Sequence, residues 1–411
     1  MESSRAIIIG GSHAGAQLCA SLRQEGWAGE ILLISDEPSL PYHRPPLSKT
    51  YLADKVSMTE LLIRTPEFYE KQAVNIRCAR VTAIDSVAHR VTLSDGSEIE
   101  YAKLALCTGA RPRQLKIPGA NLAGVYYLRT AGDIEAIKSQ LGSTRRAVII
   151  GGGYIGLETA ASLRSLGIEV TILETAERVL QRVTATQVSD FYARVHREAG
   201  VRLHTLAAIT AIVGSDLVEG VRCGNGEIFP ADIVIIGIGV LPNTELAEAA
   251  GLEVSNGIII DGHGRTSVPD IVAAGDCANY FSIHYERRVR LESVPNAGEH
   301  AKVAAATMCD KKREISGLPW FWSDQFDIKL QISGLNQGHN KVIIRGDHIT
   351  GRSFSCFYFI NDRMIAADCI NRPQDFVFSK RIISDSLMID ASQLANEQIP
   401  LSALLAINKS T

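Results

Sequence analysis

The sequence predicts an α/β protein built from two strand–turn–helix units of one design, with an α+β segment at the C-terminal end. Three observations predict it. A glycine turn lies between an apolar strand and a helix at Ala147 to Ala161. A looser copy lies at Ala6 to Gly15. Two further apolar strands, Ile99 to Leu106 and Ala231 to Asn243, each end in a turn of small residues.

The first turn is the organiser. Ala147 to Ile150 is a short apolar run, and Gly151, Gly153 and Gly156 after it fit G-x-G-x-x-G. The first glycine permits a tight turn, the second lets a pyrophosphate approach the backbone, and the third lets the helix pack close to the strand. Tyr154 and Ile155 sit between the last two glycines and are counted with them as nucleotide contacts. A second apolar run, Val170 to Leu173, ends at Glu174. A carboxylate at that distance can accept hydrogen bonds from an adenosine ribose and disfavours a 2′-phosphate, so NADH is expected over NADPH. Arg178 and Arg182 follow closely and are read as surface residues.

In the N-terminal copy the pattern is Gly10, Ser12, Gly15, with His13 and Ala14 between. Serine at the middle position adds a Cβ where backbone should meet phosphate, although its hydroxyl can itself donate. The strand Ile31 to Ile34 follows, and Asp36 suits the ribose better than Glu37 because it is closer to the strand end. Two dinucleotide turns on one polypeptide suggest a flavin and a nicotinamide held face to face, with hydride passing between them.

At 411 residues the chain is long enough for two or three domains. A net charge of −3 gives no argument for nucleic acid or a membrane surface. No apolar run is long enough to span a bilayer; Ile233 to Leu241 carries two glycines and reads as a buried strand. Ala6 to Ile9 is too short for a signal-peptide core, so a cytoplasmic protein is expected. The eight cysteines form no C-x-x-C and no zinc-like spacing, so reduced, buried thiols are expected and no metal site.

Between the two turns, Pro41 to Lys49 places Arg44 and Lys49 on a proline-stiffened loop read as extended. Val81 to Leu106 reads as a β-meander with a turn at Asp95-Gly96, its last strand running from Ile99 to Leu106. It ends at Cys107-Thr108-Gly109-Ala110-Arg111-Pro112. Leu128-Arg129-Thr130 leads into a helix expected near Asp133. Ile233 to Asn243 mirrors Leu104 to Pro112, with Gly239 in its turn. Ile271 to Asp276 ends in another turn, and Glu292, Ser293 and Val294 precede a helix expected over 298–308. Lys311, Lys312 and Arg313 close that helix. At Leu318 the composition turns aromatic, and strand-like runs and a helical tail follow.

In this order, two glycine turns, R-P-P-L-S-K, C-T-G-A-R-P, L-R-T, G-I-G-V-L-P-N, A-G-D and P-W-F-W-S-D-Q resemble the oxygenase-coupled ferredoxin reductases over essentially the whole chain. The resemblance implies a glutathione-reductase-like fold: two Rossmann-like dinucleotide domains and an α+β interface domain. Its expected boundaries are 1–110 and 243–318 for FAD, 111–242 for NAD and 319–411 for the C-terminal domain. It implies FAD contacts at Gly10, Ser12, His13, Ala14, Gly15, Asp36, Arg44, Lys49, Val81, Thr108, Gly109, Arg129, Asp276, Glu292, Ser293 and Val294. NAD contacts fall at the Gly151 turn, Glu174 and Gly239. Lys49 matches the lysine beside the flavin ring, Glu158 the carboxylate that pairs with it, and Trp320 the aromatic near the isoalloxazine.

The implied activity is NADH:ferredoxin oxidoreduction through FAD, serving an oxygenase, with a [2Fe–2S] ferredoxin as partner. Such partners are acidic, so a local basic patch must attract them, and Lys311, Lys312 and Arg313 are the first candidates, with Arg287 to Arg290 as reserve. A monomer or a homodimer is compatible with this reading. Two alternatives come from other classes. A disulfide or peroxide reductase of the same fold needs a cysteine at the flavin, and none stands at a helix start after the first strand pair. A non-enzymatic flavoprotein related to the apoptosis-inducing ones would carry long insertions.

Overall fold

Each glycine turn lies at the C-terminal end of the middle strand of a five-stranded parallel sheet. The computed structural model describes residues 4–407, which fall into two compact units: 4–44, 57–111 and 240–319 in the first; 45–56, 112–239 and 320–407 in the second.

In the first unit the strands lie in the order Ile271–Ala273, Lys103–Leu106, Ala6–Ile9, Ile31–Ser35, Val74–Cys78. All neighbours are parallel. The inner strands are covered on both faces, which is why they read as nearly continuous Ile, Leu and Ala, whereas the edge strand Val74–Cys78 carries Asn75 and Arg77. Helix His13–Glu25 and helix Val294–Met308 pack together over the sheet. The seam is made of small residues, with Ala14 on one side and Ala297, Ala301, Ala304 and Ala305 on the other. Burying Ile8, Leu18, Leu22 and Leu33 completely contributes about 1.5–3 kcal/mol each.

The second unit repeats the plan. Its strands run Arg202–His204, Glu169–Leu173, Arg146–Ile150, Ile233–Ile236, Val125–Tyr127, again all parallel. The C-terminal segment adds an antiparallel sheet in the order Trp320–Gln325, Ile328–Gly334, Arg363–Ile370, Ser353–Ile360, Lys341–Asp347, with helix Pro373–Ser384 packed on it. No helix among the described residues is long and apolar enough to cross a membrane.

Several local expectations are corrected. The prolines after Arg44 do not extend the chain; Pro45–Ser48 is a 3-10 turn, since proline's φ also suits the first turn of a helix. The helix after Arg129 begins at Ala131, because Thr130 caps it in a capping box with Asp133. The last helix of the first unit begins at Val294, not 298, with Ser293 as its cap and Pro295 in its first turn. The run from Ile99 to Leu106 is two strands, Glu98–Glu100 in a small antiparallel sheet and Lys103–Leu106 in the central one. At the break, Tyr101 N–H bonds His89 and Ala102 N–H bonds Arg5. The apolar run from Ile233 to Leu241 is a strand only as far as Ile236.

Candidate active site

The two glycine turns are built by the same collisions. At Gly10 φ is +114°, and a Cβ would stand 2.1 Å from the Cys107 carbonyl oxygen; at Gly151 φ is +111°, and a Cβ would stand 2.3 Å from the Gly237 oxygen. In both units the first glycine is therefore fixed by the small-residue turn that ends the neighbouring strand. Gly15 and Gly156 are held alike, each against the carbonyl of the first glycine of its own turn. The middle position differs. A Cβ on Gly153 would meet nothing within 4 Å, so the backbone there faces open space, as a phosphate cradle requires.

In the first unit the middle residue, Ser12, is the N-cap of helix His13–Glu25, but its hydroxyl does not cap that helix. It accepts from Arg44 Nε at 2.9 Å. Arg44 also pairs with Glu37, which in turn accepts from the Tyr42 hydroxyl. Asp36 is exposed, while Glu37 carries this network. The imidazole of His13 lies 3.2 Å from that of His43. Ala14 and Ala297, near the starts of the two packed helices, both lie by Gly275, whose Cβ would come within 3.1 and 3.7 Å of their methyls. Two helix N-termini, each with partial positive charge, thus converge beside the Ser12 turn and suit a pyrophosphate.

The other predicted residues of this unit surround that place in sequence but are tied into its scaffold. Thr108 donates to the Asn243 carbonyl at 2.7 Å, and Asn243 N–H bonds Gly109, latching the C-T-G-A turn. Val81 opens an antiparallel strand opposite Leu93. Asp276 is half-buried, and its carbonyl accepts from Arg290, which also pairs with Glu292 at 2.7 Å. Ser293 accepts from Asn296 N–H as the cap that starts the helix at Val294. Lys311 and Arg313 both reach Glu25, at 3.0 and 3.9 Å, so two of the three cations in that cluster are already neutralised.

In the second unit, Glu174 is locked onto the glycine turn: its carboxylate accepts from Gly152 N–H at 2.6 Å and from Ala176 N–H at 2.8 Å. Arg178 is committed to Thr184, Gln181 and Ser189, whereas Arg182 is exposed. Gly239 accepts from Arg113 N–H, and Arg129 N–H bonds the capping-box Asp133. Tyr154 is stacked at an angle on Phe321, and Ile155 projects into solvent at the helix start, as a ligand-facing residue would.

Deeper in the same unit lies a buried ion pair. Glu158, 6% exposed on helix Tyr154–Ser165, stands 3.1 Å from Lys49 Nζ. Ser48 donates to Glu158 Oε2 at 2.8 Å and Ser323 to Oε1 at 2.7 Å. One turn along that helix, Ser162 holds the Ser48 carbonyl at 2.7 Å, so the 3-10 turn is clamped to the helix that presents the carboxylate. Burial pushes the Glu158 carboxyl above its usual range; the Lys49 charge, then Ser323 and Ser48, pull it back. Lys49 also reaches Asp324 at 3.8 Å. Arg44 and Lys49, read as sharing one loop, are each paired with a carboxylate, Arg44 with Glu37 and Lys49 with Glu158. Trp320 packs against Trp322, Phe376 and Lys380.

Ser48, Ser323, Gln325 and Asn243 were not singled out by sequence, and Glu37 was passed over in favour of Asp36. They are common polar residues whose partners lie far along the chain. Ser48 lies inside R-P-P-L-S-K, Asn243 ends G-I-G-V-L-P-N, and Ser323 and Gln325 lie in the S-D-Q of the aromatic segment, but those motifs gave them no role of their own.

All eight cysteines are free. Burial drives the thiols of Cys107 and Cys277 upward and that of Cys19 to about 12, which disfavours the thiolate form of each. Their burial argues against a flavin–thiolate couple made from them.

The pyridine nucleotide-disulphide oxidoreductase profile matches residues 4–301, and the reductase C-terminal profile residues 320–405. Putidaredoxin reductase of Pseudomonas putida is 45% identical over 98% of this chain and 97% of its own. The ferredoxin–NAD(+) reductase component of an anthranilate 1,2-dioxygenase system from Burkholderia cepacia is 38% identical over 98% of this chain and 100% of its own. The crystal structure of a covalent putidaredoxin reductase–putidaredoxin complex superposes with a TM-score of 0.96 at 44% identity, covering 100% of both chains. With its duplicated glycine turns and its reductase-type C-terminal domain, this chain belongs to the pyridine nucleotide-disulphide oxidoreductase family and is an oxidoreductase working with FAD and NADH.

Proposed function

We propose that the chain is an FAD-dependent NADH:ferredoxin reductase that feeds an oxygenase through a [2Fe–2S] ferredoxin. The observation that carries this reading is the duplication of the glycine turn, one copy with converging helix N-termini and the other with an open middle glycine and a locked ribose acid. Residues 1–110 and 243–318 hold FAD, residues 111–242 hold NADH, and residues 319–411 form the interface domain. Bound FAD supplies the change from two-electron to one-electron chemistry.

The chain's own residues do the rest. The Ser12 turn, Arg44 and the start of helix Val294–Met308 hold the pyrophosphate. Glu174 selects the free ribose 2′-hydroxyl. Lys49, held by Glu158, offers positive charge at the reacting ring. The eight free thiols support a reducing compartment, and we assign the protein to the cytoplasm; recovery with an outer-membrane or secreted fraction would refute that.

In the basic cluster, Lys312 is the cation that Glu25 does not engage, and it carries the docking charge. Reversal in Lys312→Glu should raise the ferredoxin KM several-fold at low salt; an unchanged KM removes the cluster from docking.

Stopped-flow reduction by NADH tests the Lys49–Glu158 pair. Charged hydrogen bonds are worth roughly 1.5–3 kcal/mol, so Glu158→Gln should slow reduction by roughly 10- to 100-fold with FAD still bound. Unchanged rates in both Lys49→Met and Glu158→Gln would leave the pair without a catalytic role.

A further inference from the structure

Behind Glu158 runs a chain of buried side chains that the reaction as described does not use. Ser323 and Gln325 stand two residues apart on strand Trp320–Gln325 and therefore share a face. Gln325 Nε2 lies 3.1 Å from Ser323 Oγ, and Gln325 Oε1 lies 2.9 Å from His196 Nε2, on helix Thr186–Glu198. Ser323, Gln325 and His196 are each at most 1% exposed. All of them, with Lys49 and Glu158, belong to the second unit.

The direction of every bond follows from donor arithmetic. Ser323 has one hydroxyl proton, and a carboxylate can only accept, so that proton goes to Glu158. Ser323 must then accept from the Gln325 amide, which fixes the amide's orientation. Gln325 Oε1 must accept, so His196 donates from Nε2. This leaves His196 Nδ1 as a bare lone pair, and it is the ring nitrogen without a partner. Reversing the chain would instead bury an unpaired N–H, the rarer and costlier defect. Protonating His196 would do the same and add a charge; burial pushes its pKa down to about 4, so the ring is neutral at physiological pH.

We propose that His196, Gln325 and Ser323 form a one-way hydrogen-bond relay whose aligned donors hold Glu158 in place as the ionised partner of Lys49. They are positioning residues, acting through Glu158. The other charged or titratable groups around the pair are Asp324, 3.8 Å from Lys49, and Tyr154, Tyr192 and Asp368, which couple electrostatically with one another and, for the tyrosines, with Glu158. None of these donates to the carboxylate in the way Ser323 and Ser48 do. Aligned bonds polarise one another, so the far end of the relay affects the near end.

The relay itself stands on this unit's geometry, and its bearing on catalysis rests on the role given to Lys49 above. The test is an infrared pH titration of the FAD-loaded protein, with the Glu158 carboxyl band assigned by its loss in Glu158→Gln. Ser323→Ala, Gln325→Leu and His196→Met should each raise the protonation midpoint, by roughly one pH unit for the nearest link. His196→Gln, which keeps a donor near Nε2, should restore it. The acid limb of NADH-driven flavin reduction should move upward in parallel. Gln325→Leu should add nothing in a Glu158→Gln background. An unmoved midpoint in Gln325→Leu and His196→Met overturns the relay. A moved midpoint with an unmoved pH profile supports the relay and overturns the role of Lys49 in reduction.

Discussion

Glu174 illustrates how the turn fixes a side chain that, under the proposed function, also meets the ribose. Its two oxygens are already accepting from Gly152 and Ala176, so the carboxylate is preset before any ribose arrives. A 2′-phosphate would bring a second negative charge against it. Arg178, close in sequence to Glu174, is spent on Thr184, Gln181 and Ser189 and is not available to neutralise that phosphate. Replacement by alanine, Glu174→Ala, should therefore lower kcat/KM for NADH about tenfold and leave NADPH nearly unchanged, narrowing the gap between them. Steady-state kinetics with both coenzymes check this, and equal kcat/KM values in the unaltered protein would defeat the assignment. The same residue shows what sequence can reach. An acid at the end of the second strand is visible from spacing alone. In the first unit that rule pointed to Asp36, which is exposed, whereas Glu37 joins Arg44 and Tyr42. One residue of offset after a strand decides which way a side chain faces, and spacing does not resolve it.

Secondary elements were legible where apolar runs and caps agree. The strands Ala6–Ile9, Arg146–Ile150 and Ile233–Ile236 announce themselves because both faces are buried. Strand Trp320–Gln325 did not, because its buried positions are Ser323 and Gln325 while its three aromatics are only half-buried. Polarity inside and apolarity outside invert the usual signal, and the inversion marks the relay to Glu158. Helix Val294–Met308 hides a second polar residue: both ring nitrogens of His300 are buried without a partner, edge-on to Tyr280. Burial lowers its pKa to about 3, and that of His196 to about 4. Both values lie below the ordinary 6.5, so the unfolded chain takes up the protons first. Stability is then complete above about pH 6.5 and is lost as pH falls toward 4 and 3. At pH 5 each histidine should cost up to about 2 kcal/mol relative to pH 7. Thermal melts between pH 7 and 5 should show Tm falling, with a shallower slope in His300→Phe. Identical slopes would mean that His300 is already accessible to protons.

For the whole molecule, the duplication explains both the fold and the choice of cofactors. Two five-stranded parallel sheets, each with its glycine turn on the middle strand, fix their first glycine against the neighbouring strand's turn, and each places a helix start where a pyrophosphate would fit. The C-terminal sheet contributes Ser323 and Gln325, so it supports the buried Lys49–Glu158 ion pair as well as completing the second unit. The order of motifs revealed this plan, whereas the long-range polar contacts appeared only with the folded chain. The central claim is that electrons pass from NADH through bound FAD to a ferredoxin, with no cysteine relay. Anaerobic cytochrome c reduction by the FAD-loaded protein, with NADH and with or without an added [2Fe–2S] ferredoxin, tests it most directly. The account predicts rapid reduction that requires the ferredoxin and survives alkylation of accessible thiols. Turnover that ignores the ferredoxin and is abolished by thiol alkylation would contradict it.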